Sequence, residues 1–127
     1  AVGDDLSGRL IPAVEVRLRG LYRLLPPDYY EAADNLADFC DRIEKQYGVR
    51  PVIYCTERTY KNIVASDSRF NKDKIWYESL FSKPDEDMNW TFWTYTNRVK
   101  FSFYESGEYL HMTVFNGSED DFKKLIL

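Results

Sequence analysis

Histidine, cysteine and methionine are scarce in this 127-residue chain: one, two and two residues respectively. A lone histidine, His111, cannot assemble a metal site, which takes three or more protein ligands. Cys40 and Cys55 lack metal-ligand spacing and are too few for a disulfide framework, so both read as buried free thiols. No metal or cofactor is expected. No apolar run approaches the roughly 20 residues needed to cross a bilayer, so no membrane partner is expected. No cluster of Lys and Arg is long enough to track phosphates, and the net charge is −4. Nucleic-acid binding is therefore not expected either. There is no internal repeat and no low-complexity segment. The opening Ala1-Val-Gly-Asp-Asp has neither a Met start nor a signal peptide, and reads as a processed product or a fragment.

Aromatic residues, by contrast, are abundant at 17 % of the chain, with ten Tyr and three Trp. Such an excess suits either a core or a surface that stacks on sugars, bases or a partner. The length fits one domain, 1–127. Residues 1–9 read as a frayed lead-in. A strand follows at Ile11–Arg17, with Pro12 at its entry. The segment from Gly20 to Pro27 reads as a loop. A helix is expected over Asp28–Tyr47, with Leu36, Phe39, Cys40, Ile43 and Tyr47 as its apolar stripe and Gly48 as its stop. Val49–Cys55 has the continuous apolar character of a parallel strand covered on both faces.

Thr56 can cap a short helix over Glu57–Ala65. A polar loop, Ser66–Lys74, leads to a strand at Ile75–Glu78. Three aromatic-rich strands, Trp90–Tyr95, Val99–Tyr104 and Glu108–Phe115, read as an antiparallel meander turning at Arg98 and Ser106-Gly107. Ser118 can cap a closing helix, Glu119–Ile126. The sum is an α/β fold with a mixed sheet and antiparallel C-terminal strands.

Alternation places Glu15 and Arg17 on one face at the C-terminal end of the first strand. In sheets of parallel strands with helical crossovers, chemistry is usually placed at that end. An exposed ion pair is the plain alternative.

The stretches Gly48-Val-Arg-Pro-Val-Ile-Tyr54, Ile75-Trp76, Trp90-Thr-Phe-Trp93-Thr-Tyr95 and Val114-Phe-Asn-Gly-Ser118, taken together, resemble glycoside hydrolase family 25. These are the muramidase-type lysozymes of bacteria and phages, and the resemblance covers nearly the whole chain from Ile11. It implies the C-terminal part of a modified, TIM-like β/α barrel, with the first barrel strands lacking. It also implies a peptidoglycan substrate, cleaved between N-acetylmuramic acid and N-acetylglucosamine, and a secreted or cell-envelope location. Residue by residue, Glu15 stands where the family has Asp, and Arg17 where it has the catalytic Glu. Glu78 replaces a small residue, Thr94 a Gln, and His111-Met112-Thr113 an Asp-x-Asn. By the same resemblance Tyr54, Trp76, Trp93 and Tyr95 fall near the groove, where they would bind sugar; core packing is the alternative for each. His111 would be a polar contact of the cleft or a plain surface residue.

These departures carry chemical consequences. Glycoside hydrolysis needs a proton for the leaving oxygen and negative charge beside an oxocarbenium-like centre. A guanidinium holds its proton to above roughly pH 12, so Arg17 is neither acid nor base near neutrality. It adds positive charge where the transition state develops one. Loss of a general acid costs about two to four powers of ten in rate. The expectation is a lysozyme-like domain that is catalytically impaired and retains glycan binding. Two alternatives stand beside it. Glu15 with Glu78 could form a relocated carboxylate pair in an active glycosidase, against the plainer reading of Glu78 as a salt-bridge partner of Arg17 or a lysine. Unpaired sheet edges could instead make the chain an assembly protein, as a homodimer or with a separate N-terminal fragment. Asn89-Trp-Thr91 and Asn116-Gly-Ser118 match a glycosylation sequon, relevant only in a eukaryotic secretory route.

Overall fold

The computed structural model describes residues 7–17, 28–80, 82–99 and 110–127. Its centre is a five-stranded sheet of β1 (Ala13–Glu15), β2 (Val52–Thr56), β3 (Ile75–Glu78), β4 (Trp90–Val99) and β5 (Leu110–Phe115). The strands lie side by side in chain order. β1 to β4 are parallel and β5 is antiparallel to β4. The sheet is mixed, as the sequence indicates.

The helix α1 (Tyr29–Tyr47) connects β1 to β2. Asp28 is its cap rather than its first residue: the carboxylate accepts from the Glu31 N–H at 3.0 Å. Gly48 ends it in the left-handed region (φ 75°), where a side chain would be strained, and its N–H bonds the Glu44 carbonyl. Ala33, Leu36, Ala37 and Cys40 form the buried stripe. Phe39, expected in that stripe, is 44 % exposed, because the small residues Ala33 and Ala37 set the face that meets the sheet. Ile53 and Cys55 of β2, Ile75 and Tyr77 of β3, and Ile63, Val64 and Phe70 complete this core, with Val14, Val16 and Trp93 packed at its margin. Both cysteines are buried and free.

Several boundaries differ from expectation. The first strand shortens to Ala13–Glu15, although the Val16 N–H still bonds the Tyr54 carbonyl at 2.8 Å. Residues 7–9 are paired rather than frayed. Gly8 N–H donates to the Leu127 carbonyl, Leu127 N–H to Arg9 at 2.8 Å and Ile11 N–H to Leu125 at 2.9 Å. Thr56 does cap a helix, α2 (Glu57–Thr59), with a reciprocal capping box to Thr59. The turn then widens to a π-helix over Tyr60–Val64, and Ser68–Phe70 adds a 3₁₀ turn in the expected loop. β4 runs through Arg98 without turning and pairs directly with β5 from Val99↔Leu110 to Phe92↔Phe115. Among the described residues the expected meander is a two-stranded ladder. The remainder of the Val99–Tyr104 strand, the Ser106-Gly107 turn and the Gly20–Pro27 loop lie outside the described residues. The last helix, α3 (Glu119–Lys123), is shorter than expected, and its Ser118 cap is present.

Arg50 ties the ends of the first β–α–β unit to the next strand. Its Nε and Nη2 donate to the Asp73 carboxylate at 2.5 and 3.0 Å, and Nη1 donates to Asp41 at 2.9 Å. The Asp73 side chain is only 3 % exposed, so its charge depends on this fork. Arg50→Ala would leave that carboxylate buried and unpaired, and is expected to cost about 3–5 kcal/mol of unfolding free energy in a denaturant titration. A loss below about 1 kcal/mol would show that the fork is dispensable.

Candidate functional site

Side-chain alternation gives the sheet two unlike faces. One is the helix-covered core. On the other stand Glu15, Tyr54, Trp76, Glu78, Phe92, Thr94, Thr113 and Phe115, brought together by the registers Glu15↔Tyr54↔Trp76↔Phe92 and Glu78↔Thr94↔Thr113. The polar members gather toward the C-terminal ends of the parallel strands.

Below them runs a rail of rings. Tyr54 and Trp76 meet edge-on at 5.3 Å, Trp76 and Phe92 are tilted at 4.9 Å, and Phe92 and Phe115 follow at 5.5 Å. These half-buried rings offer faces and edges of the kind on which a pyranose stacks.

At the β1 end, the Arg17 guanidinium donates to Glu15 Oε1 at 2.6 Å. Both side chains are largely in water, 58 % and 44 % exposed, so the pair contributes little to stability. Hydrogen bonding to Glu15 raises the guanidinium pKa still further, and Arg17 is a fixed cation at every accessible pH. Glu78 forms no salt bridge with Arg17 or a lysine among the described residues; it accepts a short hydrogen bond from the Tyr54 hydroxyl instead. Burial, and then this bond to Glu78, push the Tyr54 phenol well above its ordinary range. A hollow of about 460 Å³ adjoins Glu78, lined by Thr56, Lys61, Ser79 and Leu80 among others.

The centre of the face is Thr94, 1 % exposed. Trp76 Nε1–H donates to its hydroxyl oxygen at 2.9 Å, and Thr113 Oγ1 lies 2.7 Å away. Sequence reasoning marked Thr94 and Thr113 only as departures, not as site residues. A lone Thr two positions after Phe92 gives a face, but its partner 19 residues on emerges only from the β4–β5 register.

Of the residues singled out in sequence, Glu15, Arg17, Tyr54, Trp76 and Glu78 come together. His111 is exposed and shares their face by alternation with Thr113. Trp93 and Tyr95 do not join them. Trp93 packs against the helix-covered core, its Nε1–H donating to the Ser79 carbonyl at 3.1 Å, and the Tyr95 ring sits 5.7 Å from it. The Trp93 ring thus stands on the side of β4 away from Trp76, with Tyr95 beside it.

The Tyr54–Glu78 bond has a direct spectroscopic consequence. The neutral phenol is favoured, so Tyr54 should resist ionisation as pH rises past about 10, the ordinary tyrosine value. In residue-resolved ¹³C NMR its midpoint should lie above the free-tyrosine value, and Glu78→Gln should bring it down. A midpoint at the free-tyrosine value, unmoved in Glu78→Gln, would contradict the assigned bond.

The family model for glycosyl hydrolases family 25 matches residues 24–102. No match was found among curated proteins. The structure is similar to a family 25 glycosyl hydrolase from Bacillus anthracis: TM-score 0.76, 27 % identity, over 94 % of this chain and 55 % of that one. It is also similar to a family GH25 lysozyme from Aspergillus fumigatus (TM-score 0.70, 18 % identity, 98 % and 59 %). A third similar structure is a muramidase from Acremonium alcalophilum (TM-score 0.62, 23 % identity, 93 % and 56 %). The chain thus spans little more than half the length of these structures, and its sheet corresponds to part of their TIM-like barrel. On the residues matched and the fold, the chain belongs to glycosyl hydrolase family 25.

Proposed function

We propose that this chain is a lysozyme-like module that binds peptidoglycan-type glycan without hydrolysing it. The observation that carries this reading is the Arg17 guanidinium seated on Glu15 at the C-terminal end of β1. An acid catalyst there must release a proton near neutrality, and a guanidinium does not. Its positive charge opposes an oxocarbenium-like centre, and the Glu15 carboxylate that could compensate is already paired with it. Binding by stacking needs no proton transfer, and the Tyr54–Trp76–Phe92 rail supports it. A cell-envelope or secreted setting follows from such a ligand. No described helix is long and apolar enough to cross a membrane.

A second reading, an active N-acetylmuramidase using Glu15 and Glu78, draws on one observation. Glu78 is not neutralised by Arg17 and stands beside the rings on the same face. The two readings part on turnover. Incubation with purified peptidoglycan is expected to release no reducing ends above a protein-free control. Release that Glu15→Gln or Glu78→Gln abolishes would establish the enzyme and overturn the binding-only reading.

A third reading concerns assembly. β1 and β5 flank the described sheet, and the similar structures are nearly twice as long. An N-terminal piece bearing the remaining strands, or a second copy, would cover the β1 edge. Light scattering should then report a dimer or a complex with such a piece; a lone monomer at all concentrations would count against it.

A further inference from the structure

The hollow beside Glu78 lies at the C-terminal ends of β2 and β3, where Thr56 and Glu78, level in register, are the last residues of their strands. In α/β sheets, ligands bind in the crevice outside those ends. Its volume of about 460 Å³ is that of a small-ligand pocket. Among the described residues its charges balance, Arg58 and Lys61 against Glu57 and Glu78. Lys61 Nζ already lies 2.8 Å from Glu57, in a pair open to water. Such a lining favours neither an anion nor a cation. Leu80 gives it an apolar wall, and the methylene stem of Lys61 adds to it. Glu78 belongs both to this hollow and to the ring rail. The Tyr54 hydroxyl donates to its Oε2, and the same Tyr54 ring meets Trp76 edge-on at 5.3 Å. That bond holds the carboxylate in place through one oxygen. A carboxylate accepts through both, and among the described residues Oε1 has no hydrogen-bond partner. A positioned acceptor is thus shared by a stacking surface and a neutral, partly apolar hollow.

We infer that the hollow is a subsite for the acetamido side of a neutral N-acetylated sugar, whose amide N–H donates to Glu78 Oε1 and whose methyl rests on Leu80 while the sugar ring lies on the Tyr54 and Trp76 side. Glu78 is then the specificity-determining acceptor and Tyr54 its positioning residue. A hydroxyl in place of the acetamido group would leave Leu80 facing water and forfeit the methyl contact. The inference rests on the binding reading above and names the substituent that the reading leaves open.

The test titrates the whole chain with two β-1,4-linked probes, an N-acetylglucosamine tetramer and a glucose tetramer, with affinity from calorimetry and the Leu80 methyl signals from NMR. The parent should bind the acetylated tetramer about tenfold or more tighter, as a hydrogen bond to a carboxylate with a buried methyl provides. The Leu80 signals should move with that tetramer and not with the glucose one. Glu78→Ala should weaken the acetylated tetramer about tenfold and leave the glucose tetramer within about twofold. Tyr54→Phe keeps the ring and removes the donor. It should narrow the preference about threefold or more at unchanged glucose-tetramer affinity, which a general loss of structure would not do. Leu80→Asn carries the test if Glu78→Ala does not fold, and should also narrow the preference. Equal affinity of the parent for the two tetramers, unmoved Leu80 signals, or the full preference retained in Glu78→Ala overturns the inference and leaves the binding reading standing. A parent that binds neither tetramer yet sediments with insoluble peptidoglycan likewise removes the inference alone. A parent that does neither removes the binding reading with it.

Discussion

β3 shares its hydrogen bonds with β2 on one side and β4 on the other, and the character of the open face depends on that double pairing. Thr56 and Thr94 both lie level with Glu78, and Tyr54 and Phe92 both lie level with Trp76. A shift of one residue in either ladder would send Trp76 or its neighbours to the helix side and bring Tyr77 or Ile75 out. The register is held from the helix side: Ile53, Cys55, Ile75 and Tyr77 must meet α1 and the π-helical turn. Arg50 locks the lower ends by gripping Asp73 just before β3 while bonding Asp41 of α1. The apolar core therefore sets the geometry of a polar site that lies on the opposite side of the same backbone.

The polar residues of that site are not a scatter of relics. Glu15 and Arg17 satisfy each other, Tyr54 satisfies Glu78, and Thr94 joins Trp76 to Thr113. A buried hydroxyl without partners costs on the order of 1–3 kcal/mol, so Thr94 at 1 % exposure needs this arrangement to be tolerated at all. The positive charge of Arg17 and the acceptor character of Glu78 occupy different parts of the face. On the proposed reading, that separation favours a neutral, donor-rich ligand over a reaction that needs one carboxyl to give up a proton while another stays ionised.

Much of the fold was legible in the sequence because its signals are local. Asp28, Gly48, Thr56 and Ser118 each mark a helix end by a cap within three or four residues. The continuous Val52-Ile53-Tyr54 marks a parallel strand for the same reason. The misread parts depend on partners far along the chain. Arg98 looked like a turn because a cation interrupts two aromatic runs, yet pairing with Leu110–Phe115 carries β4 straight through it. Residues 7–9 looked loose because nothing local orders them; the C-terminal residues 125–127 do. Trp93 and Tyr95 were placed with Trp76 near the groove by resemblance, whereas in the fold Trp93 packs on the core side with Tyr95 beside it. The site was half visible: Glu15, Arg17 and Glu78 announce themselves by charge, while Thr94 and Thr113 gain meaning only as a pair.

The position of Thr94 also bears on how the Trp76 ring is ordered. A tryptophan ring bound only by its neighbours' edges can swing about its side-chain torsions, and each rotamer lost on binding weakens the complex. Tying the indole N–H to a buried hydroxyl removes that freedom in advance. Beside it Tyr54, whose ring meets Trp76 edge-on, holds Glu78 with its own hydroxyl. Ring plane and carboxylate are thereby each fixed by one hydrogen bond on neighbouring strands. The face presents its stacking surface and its acceptor side by side, both ordered in advance.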